Sequence, residues 1–306
     1  MKTNLCLVLA VLAVPGAVSA QTITGGLTLS YGTTDGGDFS EDMTQRGLDG
    51  RMNVDFGNGF TFGVQVGKID MDVDGGLGGL GGEFIALDGG YRFAGGFKVG
   101  AFAEQLAFAP DGSPIDLTLK TNGITAGYEN AGLEVEAFMG QTSLSPALFG
   151  FDVENKGLTV GYTAVPGLKL GAAYLKADLS QSGSEAEIDF RGLAASYAAT
   201  DAIIVFGGIS QSDISSGGVD GLGFDSMGLG IGYDLGAMTG VSSTVSLELA
   251  RTELSSFGSS TNLDTVRLGV TFPLGAKGPA LPMNSVADSI LNPRHGAFNA
   301  ALTSAF

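Results

Sequence analysis

One pattern recurs along this chain at a period near 35 residues, and it limits the fold more than any other feature. An aromatic residue ends a strand-like segment. A short turn rich in Gly, Pro, Asn or Asp follows, and a new alternating segment takes over. The pattern is seen in DFGNGFTFGV, YRFAGGFKVGAF, GYENAGLEVEAF, GYTAVPGLKLGAAY, SYAATDAIIVF and GYDLGAMTGVSSTVSL. The aromatics that open the turns are Phe56, Phe93, Tyr128, Tyr162, Tyr197 and Tyr233, and Phe272 in VRLGVTFPLG closes the series. Their spacings are 37, 35, 34, 35, 36 and 39. Alternation at period 2 marks strands with one apolar and one polar or small face.

Each period holds two strands of about ten residues, one short turn and one longer loop. The long loops are TDGGDFSEDMTQ, IDMDVDGGLGGLGGE, FAPDGSPID, TSLSPALFGFDVE, DLSQSGSEAEID, SDISSGGVDGLGFD and TELSSFGSSTNLD, and they hold 21 of the 32 acids. Six short turns and seven long loops require 14 strands, with both chain ends of the sheet on the short-turn side. An open sheet of that size would leave two unpaired edges. Only 15% of residues are charged, and the apolar ones alternate instead of clustering, so half of every strand adds to one continuous apolar face. That face suits lipid. A sheet can span lipid only if it closes on itself, because no backbone group can be left unpaired there. The reading is therefore an all-β, transmembrane, antiparallel up-and-down barrel of 14 strands, with short turns at one end, long loops at the other and aromatic girdles between. A formal charge of −17 excludes nucleic acid as a partner.

The ends read differently. Lys2, the apolar run LCLVLAVLAVPGAV and the small residues Val18-Ser19-Ala20 make residues 1–20 a cleavable export signal. Cys6, the only cysteine, falls inside it, so no disulfide or zinc-thiolate site is expected in the exported chain. The barrel is placed at 21–274, and 275–306 is read as a periplasmic extension or a plug. There, Ser285-x-x-Asp288 looks like a helix start, and Phe298, Leu302 and Phe306 have i,i+4 spacing.

The leader, the opening ITGGLTLSYG, the GY-turn-GL-strand repeats, the strand VRLGVTFPL and the terminal Phe306 together resemble the porins of the Gram-negative outer membrane, most like the alphaproteobacterial, Rhodobacter-type group. The resemblance spans nearly the whole exported chain through diffuse motifs. It implies location in the outer membrane among lipid and lipopolysaccharide, and a water-filled channel for small hydrophilic solutes and ions. It also implies a loop folded inward to narrow the pore and, in many members, a homotrimer. Two features depart from the pattern. Well-known members have 16 strands, which stays the alternative to 14, since 21–306 over 16 and 21–274 over 14 both give about 18 residues per strand. They also end in a strand, whereas this tail alternates weakly. A non-conducting barrel with a structural or surface role is the alternative function.

If the apolar face meets lipid, parity puts Asp49, Arg51, Asp55, Asp88, Arg92, Lys98, Glu104, Glu134, Glu136, Lys169, Glu248 and Arg267 on the lumen wall. Charges of both signs across a pore orient polar solutes, although any of these residues could equally solvate or pair along the wall. Parity also implies a bulge between Phe190 and Leu193, which cannot otherwise share a face. The acidic loops favour cations near the mouth. Asp70, Asp72 and Asp74 open like a calcium loop, but position 12 is Gly81 and the flanks are strands. A solvated acidic loop is the favoured reading and a Ca²⁺ site the alternative. No enzyme is expected: the one histidine, His295, sits in the tail, and no nucleotide or metalloprotease motif is present.

Overall fold

The computed structural model describes residues 21–305 except 38–40, 77, 111–116, 147–151, 182–183, 218, 257 and 276–277. The expected leader, 1–20, and Phe306 lie outside the described residues. Fourteen strands follow one another: β1 (Thr22–Asp35), β2 (Met43–Asp55), β3 (Phe60–Val73), β4 (Gly79–Arg92), β5 (Phe97–Pro110), β6 (Leu117–Asn130), β7 (Leu133–Ser145), β8 (Asp152–Val165), β9 (Leu168–Gln181), β10 (Ser184–Ala198), β11 (Ile203–Ser216), β12 (Val219–Asp234), β13 (Thr244–Ser256) and β14 (Ser259–Leu274). Each pairs antiparallel with the next. The ring closes where β14 meets β1, from Gly25 opposite Leu274 to Asp35 opposite Asp264. Among the described residues three short α-helices follow: α1 (Gly236–Thr239) in the β12–β13 turn, then α2 (Val286–Leu291) and α3 (Ala297–Ala305) in the tail. No helix among the described residues is long and apolar enough to cross a membrane.

The strand number is 14, and the 16-strand alternative fails at Leu274. Gly275 leaves the ladder at φ +74°, and Pro279 and Pro282 lack the N–H a further strand would need. The tight turns are built as the repeat requires. Between β6 and β7, Ala131 and Gly132 take φ +50° and +83°, the twist-matched geometry of a two-residue hairpin.

The strands are longer than the expected ten residues, running to 13–16. Segments that read as long loops are largely strand, and in DLSQSGSEAEID only 182–183 lie between β9 and β10. Alternation continues there, but the outward side chains change from apolar to charged. Lys176 pairs with Glu187 and Asp178, Lys156 with Asp178, Arg191 with Asp213 and Arg251 with Asp264, all facing outward. The ladder therefore runs on past the apolar band.

That band is explicit. Leu29, Ile124, Met139, Leu158, Leu193, Ile209, Leu229, Leu249 and Leu268 all point out and are exposed. At the short-turn end the band finishes in aromatic rings. Phe60, Tyr91 and Phe93 meet edge to face, as do Phe97 and Tyr128, with Tyr162, Tyr197, Tyr233 and Phe272 continuing the belt. No bulge separates Phe190 from Leu193, because the pairing of β10 is unbroken through both. Leu193 faces out at 58% exposure and Phe190 faces in, fully buried. The inward face is thus not uniformly polar, and what covers Phe190 is the tail.

Candidate functional site: the barrel lumen

From Gly275 the chain turns back into the cylinder. Ala280 N–H donates to Thr244 Oγ1 (2.8 Å) and Met283 N–H to Thr28 Oγ1 (3.1 Å). Arg267, on β14, donates to the Asn284 carbonyl (2.7 Å) and to Glu248 Oε2 (2.6 Å). Glu248 Oε1 in turn accepts from the N–H of Val286 (2.9 Å). Ser285 caps α2 by accepting from Asp288 N–H, as its sequence suggests. Asp288 takes both Nη groups of Arg51, at 3.1 and 2.8 Å. Such fork-to-carboxylate pairing is the strongest ionic geometry available to these groups.

Beyond α2, the Arg294 guanidinium lies 3.6 Å over the Phe84 ring. His295 is held on every side: Nδ1 lies 2.8 Å from Glu104 Oε1 and Nε2 3.4 Å from Glu136 Oε1. Phe102 stacks on it at 3.9 Å, and Phe138 meets it edge-on at 4.9 Å. Both ring nitrogens therefore face carboxylate oxygens. Neither nitrogen is left to activate a nucleophile.

The opposite wall is stripped to the backbone. At Gly192 an added Cβ would lie 2.7 Å from Ile290 Cγ1, at Gly228 2.8 Å from Val286 Cγ2 and at Gly171 2.6 Å from Leu291 Cδ2. These glycines on β9, β10 and β12 seat α2, with Ile290 and Val286 buried among Leu175 and Phe190. The tail's partners thus lie on strands all the way round a closed ring, which places it inside. At Gly208 a Cβ would meet Ile290 Cδ1 at 3.0 Å and the Val286 carbonyl at 3.2 Å. Gly208→Val should therefore unseat α2 without breaking the β ladder, read as new protease cleavage after residue 275 in a barrel that keeps its gel mobility.

All twelve charged residues placed on the wall by parity point inward, but they fall into two groups. Asp49, Arg51, Glu104, Glu248 and Arg267 are taken up against the tail, with Glu104, Glu248 and Arg267 only 3–5% exposed. Asp55, Asp88, Lys98, Glu134, Glu136 and Lys169 line an open vestibule of about 590 Å³ at the short-turn end. Beside it Arg92 bridges Asp55 and Glu129, and Lys98 bridges Glu129 and Glu134. A second cavity, of about 120 Å³, lies on the other side of the tail, and both are lined by Arg51, Gln65 and Asn292.

Asp70 and Asp72 face outward on β3, where Lys68 (3.0 Å) and Arg46 (3.8 Å) pair with them. Asp74 has left the strand for a turn. Among the described residues no group of three His, Cys, Asp or Glu side chains gathers as a metal site. Sequence reasoning missed Asp288, Arg294, His295 and Asn299, all in the tail. Their signal was present in charged and amide residues embedded in an apolar helical pattern.

No protein-family model and no curated protein sequence matches the chain. Solved structures do resemble it. An anion-selective porin from Comamonas acidovorans superposes with TM-score 0.50 at 12% identity, over 83% of this chain and 99% of that one. Outer-membrane expressed OmpT of Vibrio cholerae gives TM-score 0.50 at 15% identity, over 85% and 99%. The chain shares the closed antiparallel β-barrel fold of these proteins. TodX, a monoaromatic hydrocarbon channel in a deltaS2 mutant form, gives 0.51 at 10% identity, over 85% and 91%. At these identities the likeness to outer-membrane barrels is one of fold.

Proposed function

We propose that this protein is a porin-type channel of the outer membrane that passes small hydrophilic solutes and ions, favours cations, and is narrowed by its own C-terminal tail. The carrying observation is that the cavities on either side of the tail share Arg51, Gln65 and Asn292 as lining. In this reading the Arg51–Asp288–Asn292 cluster is the constriction. The vestibule wall carries both signs of charge, as a transverse field on polar solutes requires. Above the apolar band, the outward belt of paired lysines, arginines and carboxylates suits the phosphates and divalent ions of lipopolysaccharide.

The test is a planar bilayer recording of the full chain in potassium chloride. Long-lived steps support the channel, and triplet or single steps separate a trimer from a monomer. The acids concentrated toward the long-loop end raise the local cation concentration, so under a salt gradient the zero-current potential should take the sign of cation preference. The opposite sign would remove that part of the reading. The tail itself favours a second reading, a closed structural barrel. Folded protein that shows no steps would select it.

A further inference from the structure

The cavity on the long-loop side of the tail contains a pair of opposite charges that face each other without a hydrogen bond. Inward residues of neighbouring strands form a row: Asp49 on β2, Gly67 on β3, Phe84 on β4 and Leu106 on β5, each opposite the next. Arg294 enters from the tail and lies over Phe84. Its Nη2 is 3.9 Å from Asp49 Oδ1, beyond hydrogen-bond reach. Among the described residues, neither the Asp49 carboxylate nor the Arg294 guanidinium makes a side-chain hydrogen bond. Both side chains are about 15% exposed and both line the cavity.

Two opposite charges in so enclosed a place would ordinarily be hydrogen-bonded. Arg51 and Asp288, a few ångströms of wall away, show the bidentate alternative. Gly67 leaves the room that both groups occupy, since a Cβ there would lie 2.9 Å from Asp49 Oδ1 and 3.3 Å from Arg294 Nη2. Beside the two charges the wall is mostly apolar, where Ile69, Met71, Leu80, Phe108 and Leu302 join Phe84 and Leu106, and amides of Gln45, Gln65, Asn292 and Asn299 also line it. A lone anion would meet Asp49 and a lone cation would meet Arg294. A ligand carrying both charges on adjacent atoms, with an apolar group beside them, meets Asp49, Arg294 and the apolar part of the wall together.

We propose that Asp49, Arg294 and this apolar wall form a binding site for an apolar α-amino acid, its carboxylate on Arg294, its ammonium on Asp49 and its side chain against Phe84 and Leu302. The cavity of about 120 Å³ fits an aliphatic side chain, given that a pocket of about 150 Å³ holds benzene. The site rests on the channel reading, since solute must reach the lumen, and it names a solute class for that channel. Binding in detergent, where both mouths meet water, is measured apart from conduction.

The experiment is isothermal titration of the full, detergent-folded protein with L-leucine, and with three molecules that each lack one element: glycine, 4-methylpentanoate and 3-methylbutylamine. Leucine should bind, and each analogue at least about tenfold more weakly, since each leaves a charge or the apolar wall unmet. This series needs no variant. Asp49→Asn, on the barrel wall, should lose the preference for leucine over 4-methylpentanoate. Arg294→Gln should lose the preference over the amine. The site is overturned if folded protein gives no heat with millimolar leucine, if the analogues bind as well as leucine does, or if Asp49→Asn retains the full preference. Leucine binding without bilayer current would instead remove the channel reading and leave the site standing.

Discussion

Asp288→Ala protein should conduct in larger steps than its parent and yield its tail to protease, while the barrel still migrates as a compact band until heated. The size of the effect follows from what the substitution leaves behind. Arg51 is 14% exposed and gives both Nη groups to Asp288, and its Nε is buried without a partner. Removing one member of a buried pair leaves an uncompensated charge, at a cost of about 3–5 kcal/mol. The same change removes the acceptor that holds Asn292 (2.7 Å) and the carboxylate at the first turn of α2. The tail can escape this cost by leaving, whereas the β ladder cannot, so the free energy is released as displacement of the tail. Unchanged step size with an intact tail by protease mapping would show that the lumen is not narrowed at this cluster.

A cysteine pair at Gly192 and Ile290 should do the reverse. A Cβ at Gly192 would lie 2.7 Å from Ile290 Cγ1, where a cysteine sulfur would sit, within reach of disulfide geometry. The chain's only cysteine, Cys6, lies in the expected leader, so the bond would have no competitor in the exported protein. Placed in the Asp288→Ala background, the oxidised pair should return the conductance to the parent level, and dithiothreitol should restore the large steps within one recording. Each single cysteine should do neither. Persistence of the large steps in a variant whose disulfide is confirmed by mass would mean that current bypasses α2.

The barrel was legible because lipid and backbone pairing demand regularity. Strand number followed from the turn aromatics at Phe56 through Phe272, and inward parity from which face of FTFGVQV or FIALDGGYRF was apolar. Parity failed where it assumed a single lining. Phe190, Phe102 and Phe138 are apolar yet face inward, because the inside of this barrel is partly a packed core. An inward phenylalanine and an outward leucine have the same hydropathy, and only the third element that covers one of them tells them apart. For the same reason Glu104 and Glu248 could be placed on the wall from sequence, but their partners could not. His295 looked idle because its carboxylates are 191 and 159 residues away in the chain.

A hoop made from one ribbon has a single joint that the ribbon itself does not cross, here the meeting of β1 and β14. The tail lies over that joint from within. Its Met283 N–H is held by Thr28 on one side and its Asn284 carbonyl by Arg267 on the other. Two residues later it reaches Glu248 on β13, and at Asp288 it reaches Arg51 on β2. The segment that fills the lumen is therefore also a buckle. Any force or modification that draws it out acts first on the place where the circle is completed, so the bore and the integrity of the ring are mechanically coupled.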